Sequence, residues 1–349
     1  MEKSTKAIYV STGVKIAALV IIIAGVMASE SVILPILLAL FLSIIVTKPI
    51  LWLRKKKVPH LLGIVIVLFG ISLLFIGIGA LLGKSLARLS EDIPAYEEQF
   101  SNILISFFGW MDHLGYNITS EDIISKIDAG KVLKFLTNSL SELGGVMQDS
   151  ILIMFIAVLM LLELDSFYFK SLVVSKKYGR KSLNSLDRIA KSVRQYLWIK
   201  TLLSLLTGFL VTIALIIIGV DYPILWGIVA FMLNYIPNIG SIIAAVPTVL
   251  FALIQLGFGG AFWTGIVYLA VNMVIGNMIE PKVTGKGLGL STLIVFLSLL
   301  VWGFILGTIG MFLSVPLTMV IKIILEENPK TKWLAVMMGT EQEAKDALS

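Results

Sequence analysis

Two long apolar runs, each broken by glycine and proline, constrain this chain more than any other feature. Residues 224–256 are interrupted by Ile236-Pro237-Asn238-Ile239-Gly240 and carry a further proline at Pro247. Residues 291–325 are interrupted by Gly307-Thr308-Ile309-Gly310 and carry a proline at Pro316. Each run is about 33–35 residues long. As one helix, either would extend about 50 Å, past the roughly 30 Å hydrocarbon core of a bilayer. Two full spans need about 20 residues each, so neither run holds a comfortable pair. The expectation is a hairpin of two half-helices that turns at the break and leaves by the side it entered. Peptide groups bared at such a break are tolerated at membrane depth only inside protein or beside a water-filled cavity. Two complete but short spans per run would give the same sidedness, and the residues leave both arrangements open.

Composition sets the class around these runs. The 349 residues are 58% hydrophobic and only 14% charged, with a mean hydropathy of +0.97. That balance belongs to an all-α polytopic membrane protein. The net charge of +6 is distributed at the ends of apolar spans and not as one stripe, which argues against nucleic acid as a partner. There is no cysteine, hence no disulfide, thiolate metal site or cysteine nucleophile. The two histidines, His60 and His113, lie far apart in the chain, so no histidine metal centre is expected. No cofactor is expected either. The first apolar stretch lacks a small-residue cleavage site and reads as a retained span.

Taken in order, residues 1–83 hold three spans, at 8–28, 32–53 and 61–83. Between the second and third stands Arg54-Lys55-Lys56-Lys57, which the positive-inside rule places in the cytoplasm together with the N-terminus. Ser29-Glu30-Ser31 is a turn with capping chemistry. Residues 84–149 are long, mixed and acidic on balance, with Lys84 and Arg88 among the few cations. They read as a helical insertion on the outer side, with apolar faces at Ile103, Leu104, Phe107, Phe108 and Met111 and again at Ile123, Ile124 and Ile127. Asn117-Ile118-Thr119 matches a glycosylation acceptor, a pattern common by chance. Residues 150–200 form a short fourth span followed by a basic segment, partly amphipathic and expected to lie along the cytoplasmic surface. Residues 201–325 hold a fifth span, the first broken run, the turn Gly257-Phe258-Gly259-Gly260, a sixth span and the second broken run. Residues 326–349 are a polar cytoplasmic tail. The count is about six full spans plus two broken-helix hairpins, or eight spans if each hairpin is counted as one.

The two breaks resemble each other, Pro-Asn-Ile-Gly against Gly-Thr-Ile-Gly, and each is followed by a proline. Residues 201–256 and 261–325 therefore read as two copies of span plus hairpin with opposite orientation, an arrangement used for alternating access. The expectation is that the hairpins meet near the midplane around a solute. In the first break Asn234, Pro237, Asn238 and Gly240 are the candidates, together with freed backbone carbonyls. Gly307, Thr308 and Gly310 hold the corresponding place in the second, with Ser291 at its start. Asn272, Asn277 and Glu280 lie on the span between. The amides suit a polyhydroxylated solute or simply hold helices together. Glu280, ionisable and placed before Pro281, suits a proton site or a gate, or else pairs with Lys282 or Lys286 at the surface. Trp226, Trp263 and Trp302 suit interface anchors or packing. Glu163 reads as an interfacial carboxylate. No hydrolase, metalloprotease or nucleotide-binding motif is present, which speaks against an enzyme and against direct use of ATP.

Several motifs carry a family resemblance. They are Leu225-Trp226-Gly227, Asn234-Tyr235-Ile236-Pro237-Asn238-Ile239-Gly240, Gly276-Asn277-Met278-Ile279-Glu280-Pro281, Gly285-Lys286-Gly287-Leu288-Gly289-Leu290-Ser291 and Gly310-Met311-Phe312-Leu313-Ser314-Val315-Pro316-Leu317. In order and spacing these resemble the autoinducer-2 exporter (AI-2E) family. The resemblance implies a bacterial cytoplasmic-membrane transporter and a homo-oligomer, a pentamer among the options. Several members export autoinducer-2, and others are assigned Na⁺(Li⁺)/H⁺ antiport. The sequence reading is thus a carrier that moves a small polar signal, autoinducer-2, outward by alternating access; the alternatives are antiport or a channel.

Overall fold

The computed structural model describes residues 2–113, 150–164, 166, 167, 169, 170, 173, 181–237, 239–284 and 289–348. The glycosylation motif, the second apolar face of the insertion, Asn238 and Lys286 lie outside these residues. Every regular element among the described residues is helical. They are α1 (Glu2–Ala28), α2 (Glu30–Lys55), α3 (His60–His113), α4 (Ser150–Leu162), α5 (Lys181–Ile218), α6 (Pro223–Leu233) and α7 (Gly240–Val271), then a π-helical segment (Asn272–Ile279), α8 (Glu280–Thr284), α9 (Thr292–Glu327), α10 (Lys332–Met338) and α11 (Glu341–Leu348). Among the described residues, five helical stretches are long and apolar enough to cross a bilayer, and three shorter apolar helices accompany them. Large apolar side chains such as Ile21, Phe69, Ile76, Phe209 and Phe304 are exposed along these helices. In water that surface would be an aggregation liability; in lipid it is the ordinary outside of a span.

The chain divides into two compact units that interleave in sequence. One comprises Met1–Ile64, Ile151–Gln195 and Leu288–Ser349; the other comprises Val65–Ser150 and Tyr196–Gly287. The second broken run belongs to the first unit and the first broken run to the second.

Within the second unit, the run at 224–256 folds back on itself. Trp226 and Phe251 have ring centroids 5.4 Å apart, and Tyr222 meets the same ring at 6.0 Å. In a straight helix 25 residues would separate such rings by about 37 Å. α6 ends at Leu233, the chain turns through residues 234–239, and α7 begins at Gly240. Pro247 lies inside the returning arm and not in the turn. The arm ends at Gly257, whose φ of +72° breaks the helix, and the chain reverses again. The Thr248 and Tyr268 hydroxyls, 2.9 Å apart, tie the arms together across that glycine. Trp226 is fully buried, which makes it a packing residue and not an interface anchor.

Within the first unit, the run at 291–325 also doubles back. Trp302 donates its indole N–H to Thr318 Oγ1 at 3.0 Å, where 16 residues of straight helix would span about 24 Å. The reversal occurs at Leu306 (φ −127°, ψ 20°) and Gly307 (φ 59°, ψ −151°). Pro316, like Pro247, sits inside the returning arm.

Two expectations about boundaries change. The third apolar span and the start of the insertion are one helix of 54 residues, with no break at Gly83. Hydropathy falls there, but good helix formers continue through Lys84, Leu86, Ala87 and Arg88. Likewise the basic segment before Thr201 is not a separate helix. From Lys181 it runs without interruption into the fifth span as α5.

Candidate functional site

The site that emerges lies at the turn of the first hairpin. α5 brings Lys200, Thr201 and Ser204 to it, with Lys200 and Ser204 four residues apart on one helical face. Asn234, at the end of α6, donates its amide N–H to Ser204 Oγ at 3.0 Å. The Tyr235 hydroxyl donates to Thr201 Oγ1 at 2.7 Å. From the far side of the sequence Glu280 accepts from Lys200 Nζ at 2.7 Å. The Lys200 side chain is 3% exposed and that of Glu280 is 23% exposed, so the pair is largely withdrawn from solvent. A buried pair of this kind is retained at a desolvation cost, and removing one partner strands the other charge. Tyr196, one turn before Lys200 on α5, is buried within electrostatic reach of Glu280 and Tyr235. Its hydroxyl has no hydrogen-bond partner among the described residues. The turn is thus bordered by a polar cluster of Tyr196, Lys200, Thr201, Ser204, Asn234, Tyr235 and Glu280.

Local sequence explains how the pieces reach it. A Cβ at Gly240 would lie 1.8 Å from the Leu233 carbonyl oxygen, so only glycine closes this turn. Ile239 N–H donates to the Pro237 carbonyl at 2.7 Å, which satisfies one of the carbonyls that the turn frees. The π-helical segment leads directly into Glu280; such wide turns recur at functional sites because they displace the following side chains from α-helical register.

Of the other candidates, Asn272 opens the π-helical segment half-buried and Asn277 is exposed within it. The remaining four fall in the first unit. Ser291 is the N-cap of α9, its hydroxyl accepting from Ile294 N–H at 3.3 Å. Gly307 forms the reversal, Thr308 is exposed beside it, and Gly310 is buried. A Cβ at Gly310 would lie 2.0 Å from the Trp302 carbonyl oxygen. At Gly307 it would lie 3.2 Å from a carboxylate oxygen of Glu30, a residue that in sequence reads only as part of a capping turn.

Glu280 does not pair with Lys282: its partner is Lys200, 80 residues earlier. In sequence, Lys200 reads only as one basic residue at the end of the basic segment within 150–200. Its position on the apolar face of α5, one turn from Tyr196, was the available signal. Lys322, near the end of the second broken run, is buried as well. It donates to Glu343 Oε2 at 2.6 Å and to the Gly289 carbonyl, while Arg188 pairs with Glu326 at 2.6 Å. Ser291 N–H donates to Met338 O at 3.0 Å. The polar tail is therefore two helices docked at the start of α9, not a free end. Glu163 is exposed and paired with Lys170, whose ammonium holds its carboxyl below the usual range, as suits an interfacial carboxylate.

Residues 16–330 match the model of the AI-2E family transporters. The chain belongs to that family. It is 40% identical over 335 residues to a Haemophilus influenzae protein, an alignment covering 95% of this chain and 96% of that one. It is 36% identical to YhhT of Escherichia coli K12, covering 93% of each. It is 35% identical to the AI-2 transport protein TqsA of the same strain, covering 92% of this chain and 93% of TqsA. An AI-2E transporter crosses the bilayer repeatedly, and the exposed apolar helices are the surface that requires it.

Proposed function

We propose that this AI-2E transporter exports a small polar signalling molecule, autoinducer-2, by alternating access. The observation that carries the reading is the largely buried polar cluster at the turn of the first hairpin. Its hydroxyls, amide and ion pair offer both donors and acceptors, the complement of a small polyhydroxylated solute. A helical turn held by side-chain bonds and not by a continuous backbone ladder can also be released and remade, as a gate requires. The name of TqsA supports autoinducer-2 as the solute. Energy would come from the solute gradient or from coupled ions. Both termini are assigned to the cytoplasm from Arg54-Lys55-Lys56-Lys57 and the basic start of α5. Assembly into a homo-oligomer belongs to the same proposal.

Purified protein in liposomes loaded with autoinducer-2 tests it. The expected result is saturable efflux that falls in Lys200→Met and in Glu280→Gln. Sodium-driven movement of protons without solute efflux would replace the reading with antiport, and an unsaturated ion current would replace it with a channel. The chain has no native cysteine, so single introduced cysteines at Lys57 and Lys330 report the sidedness directly.

A further inference from the structure

At the end of α5 opposite its basic start, the chain passes through Gly219, Val220, Asp221 and Tyr222 into the first hairpin. A pocket of about 520 Å³ opens there, within the range of small-ligand sites. α3 lines it with Lys84, Arg88 and Asp92, and the hinge lines it with Asp221 and Tyr222. The carboxylates are engaged. The Tyr222 hydroxyl donates to Asp92, and the Tyr96 hydroxyl donates to Asp221 Oδ2 at 2.8 Å. The cations are not: neither Lys84 nor Arg88 forms an ion pair or hydrogen bond with a described residue. Four residues apart, they share one face of α3. They follow directly on the apolar stretch 61–83, the depth at which a span meets the headgroups. Leu81 and Ile224, both exposed, supply apolar walls beside them.

We propose that this pocket binds a phosphate-type anion through Lys84 and Arg88, with either an anionic phospholipid headgroup or phosphate in solution as its source. The Arg88 fork suits two phosphate oxygens, and Lys84 adds a compact charge one turn away. Leu81 and Ile224 would cover the adjoining apolar part of a lipid. Asp92 and Asp221 oppose the anion, so their neutralisation strengthens the site. The proposal is independent of what solute the transporter carries.

The test uses the full chain in nanodiscs of phosphatidylcholine with and without phosphatidylglycerol, and in detergent with inorganic phosphate. Thermal midpoint and retained lipid in native mass spectrometry are read. Phosphatidylglycerol should raise the midpoint of the wild type and be retained. The Lys84→Ala/Arg88→Ala variant should weaken this binding by about tenfold or more. Both residues are exposed, so its unliganded midpoint should match the wild type. Asp92→Asn should bind more tightly. A response to phosphatidylglycerol alone identifies a headgroup, and an equal response to inorganic phosphate identifies a soluble anion. No response in either arm, or one that survives in the double variant, overturns the site.

Discussion

In the first hairpin the chain reverses through residues 234–239; in the second it reverses across Leu306 and Gly307. The first turn is long and is held from outside, by Ser204 on Asn234 and Thr201 on Tyr235, with the Lys200–Glu280 pair beside it. The second turn is short and is shaped by its own backbone, with a left-handed glycine and a close approach of Gly310 to Trp302. One task, reversing an apolar helical run, is thus met in two ways. Side-chain tethers are adjustable and respond to charge. Backbone approach is steric and responds to size. This difference is why the proposed gate is placed at the polar cluster of the first hairpin.

The largest effects test what the two have in common. Gly240→Val and Gly310→Val each drive a side chain into a carbonyl oxygen. Either should destabilise its hairpin by upwards of about 5 kcal/mol and abolish export, read by thermal unfolding and vesicle efflux. Wild-type export by both variants would remove any role for the breaks.

Next come the side-chain tethers at the turn of the first hairpin. Lys200→Met leaves Glu280 without its partner and should cost about 3–5 kcal/mol. Lys200→Met/Glu280→Gln should recover much of that stability while export stays impaired, and a double-mutant cycle measures the coupling. Additive losses would mean that the pair does not act as a unit.

Smaller is Asn234→Ala, which removes the bond to Ser204 and should cost about 1–2 kcal/mol. The equivalent change in the second hairpin, Thr308→Ala at an exposed position, should be close to neutral. Equal sensitivity of the two would mean that the hairpins are held in the same way.

The smallest effect is at the hinge of the first hairpin. Burial, then the bond to Asp92, pushes the Tyr222 hydroxyl up to about 12. An unfolded tyrosine ionises near pH 10. The folded-state pKa is raised, so the contribution is complete below about pH 10 and is lost as pH rises toward about 12. Denaturation of the wild type and Tyr222→Phe across that window should converge at its alkaline end; a constant gap would refute the assignment.

Residues near one another in the chain were enough to establish much of this molecule. Hydropathy alone required many spans. The lengths of the two broken runs, too long for one crossing and too short for two, predicted that each would fold back. Gly240 and Gly310 stood out because few other residues permit a tight turn, and the packing against Leu233 and Trp302 explains them. Glu280 could be singled out as an ionisable group at the end of a span. Its partner could not. Helical periodicity puts Lys200, Ser204 and Tyr196 on one face of α5, but the identity of the helix that meets that face depends on contacts 80 residues apart. The same holds for Lys322 and Glu343 and for Glu30 beside Gly307. A lysine near the end of an apolar run reads as a topological marker whether it faces headgroups or protein. Only the packing of the chain decides which, because the cost of burying the charge is offset by a partner that no local pattern names.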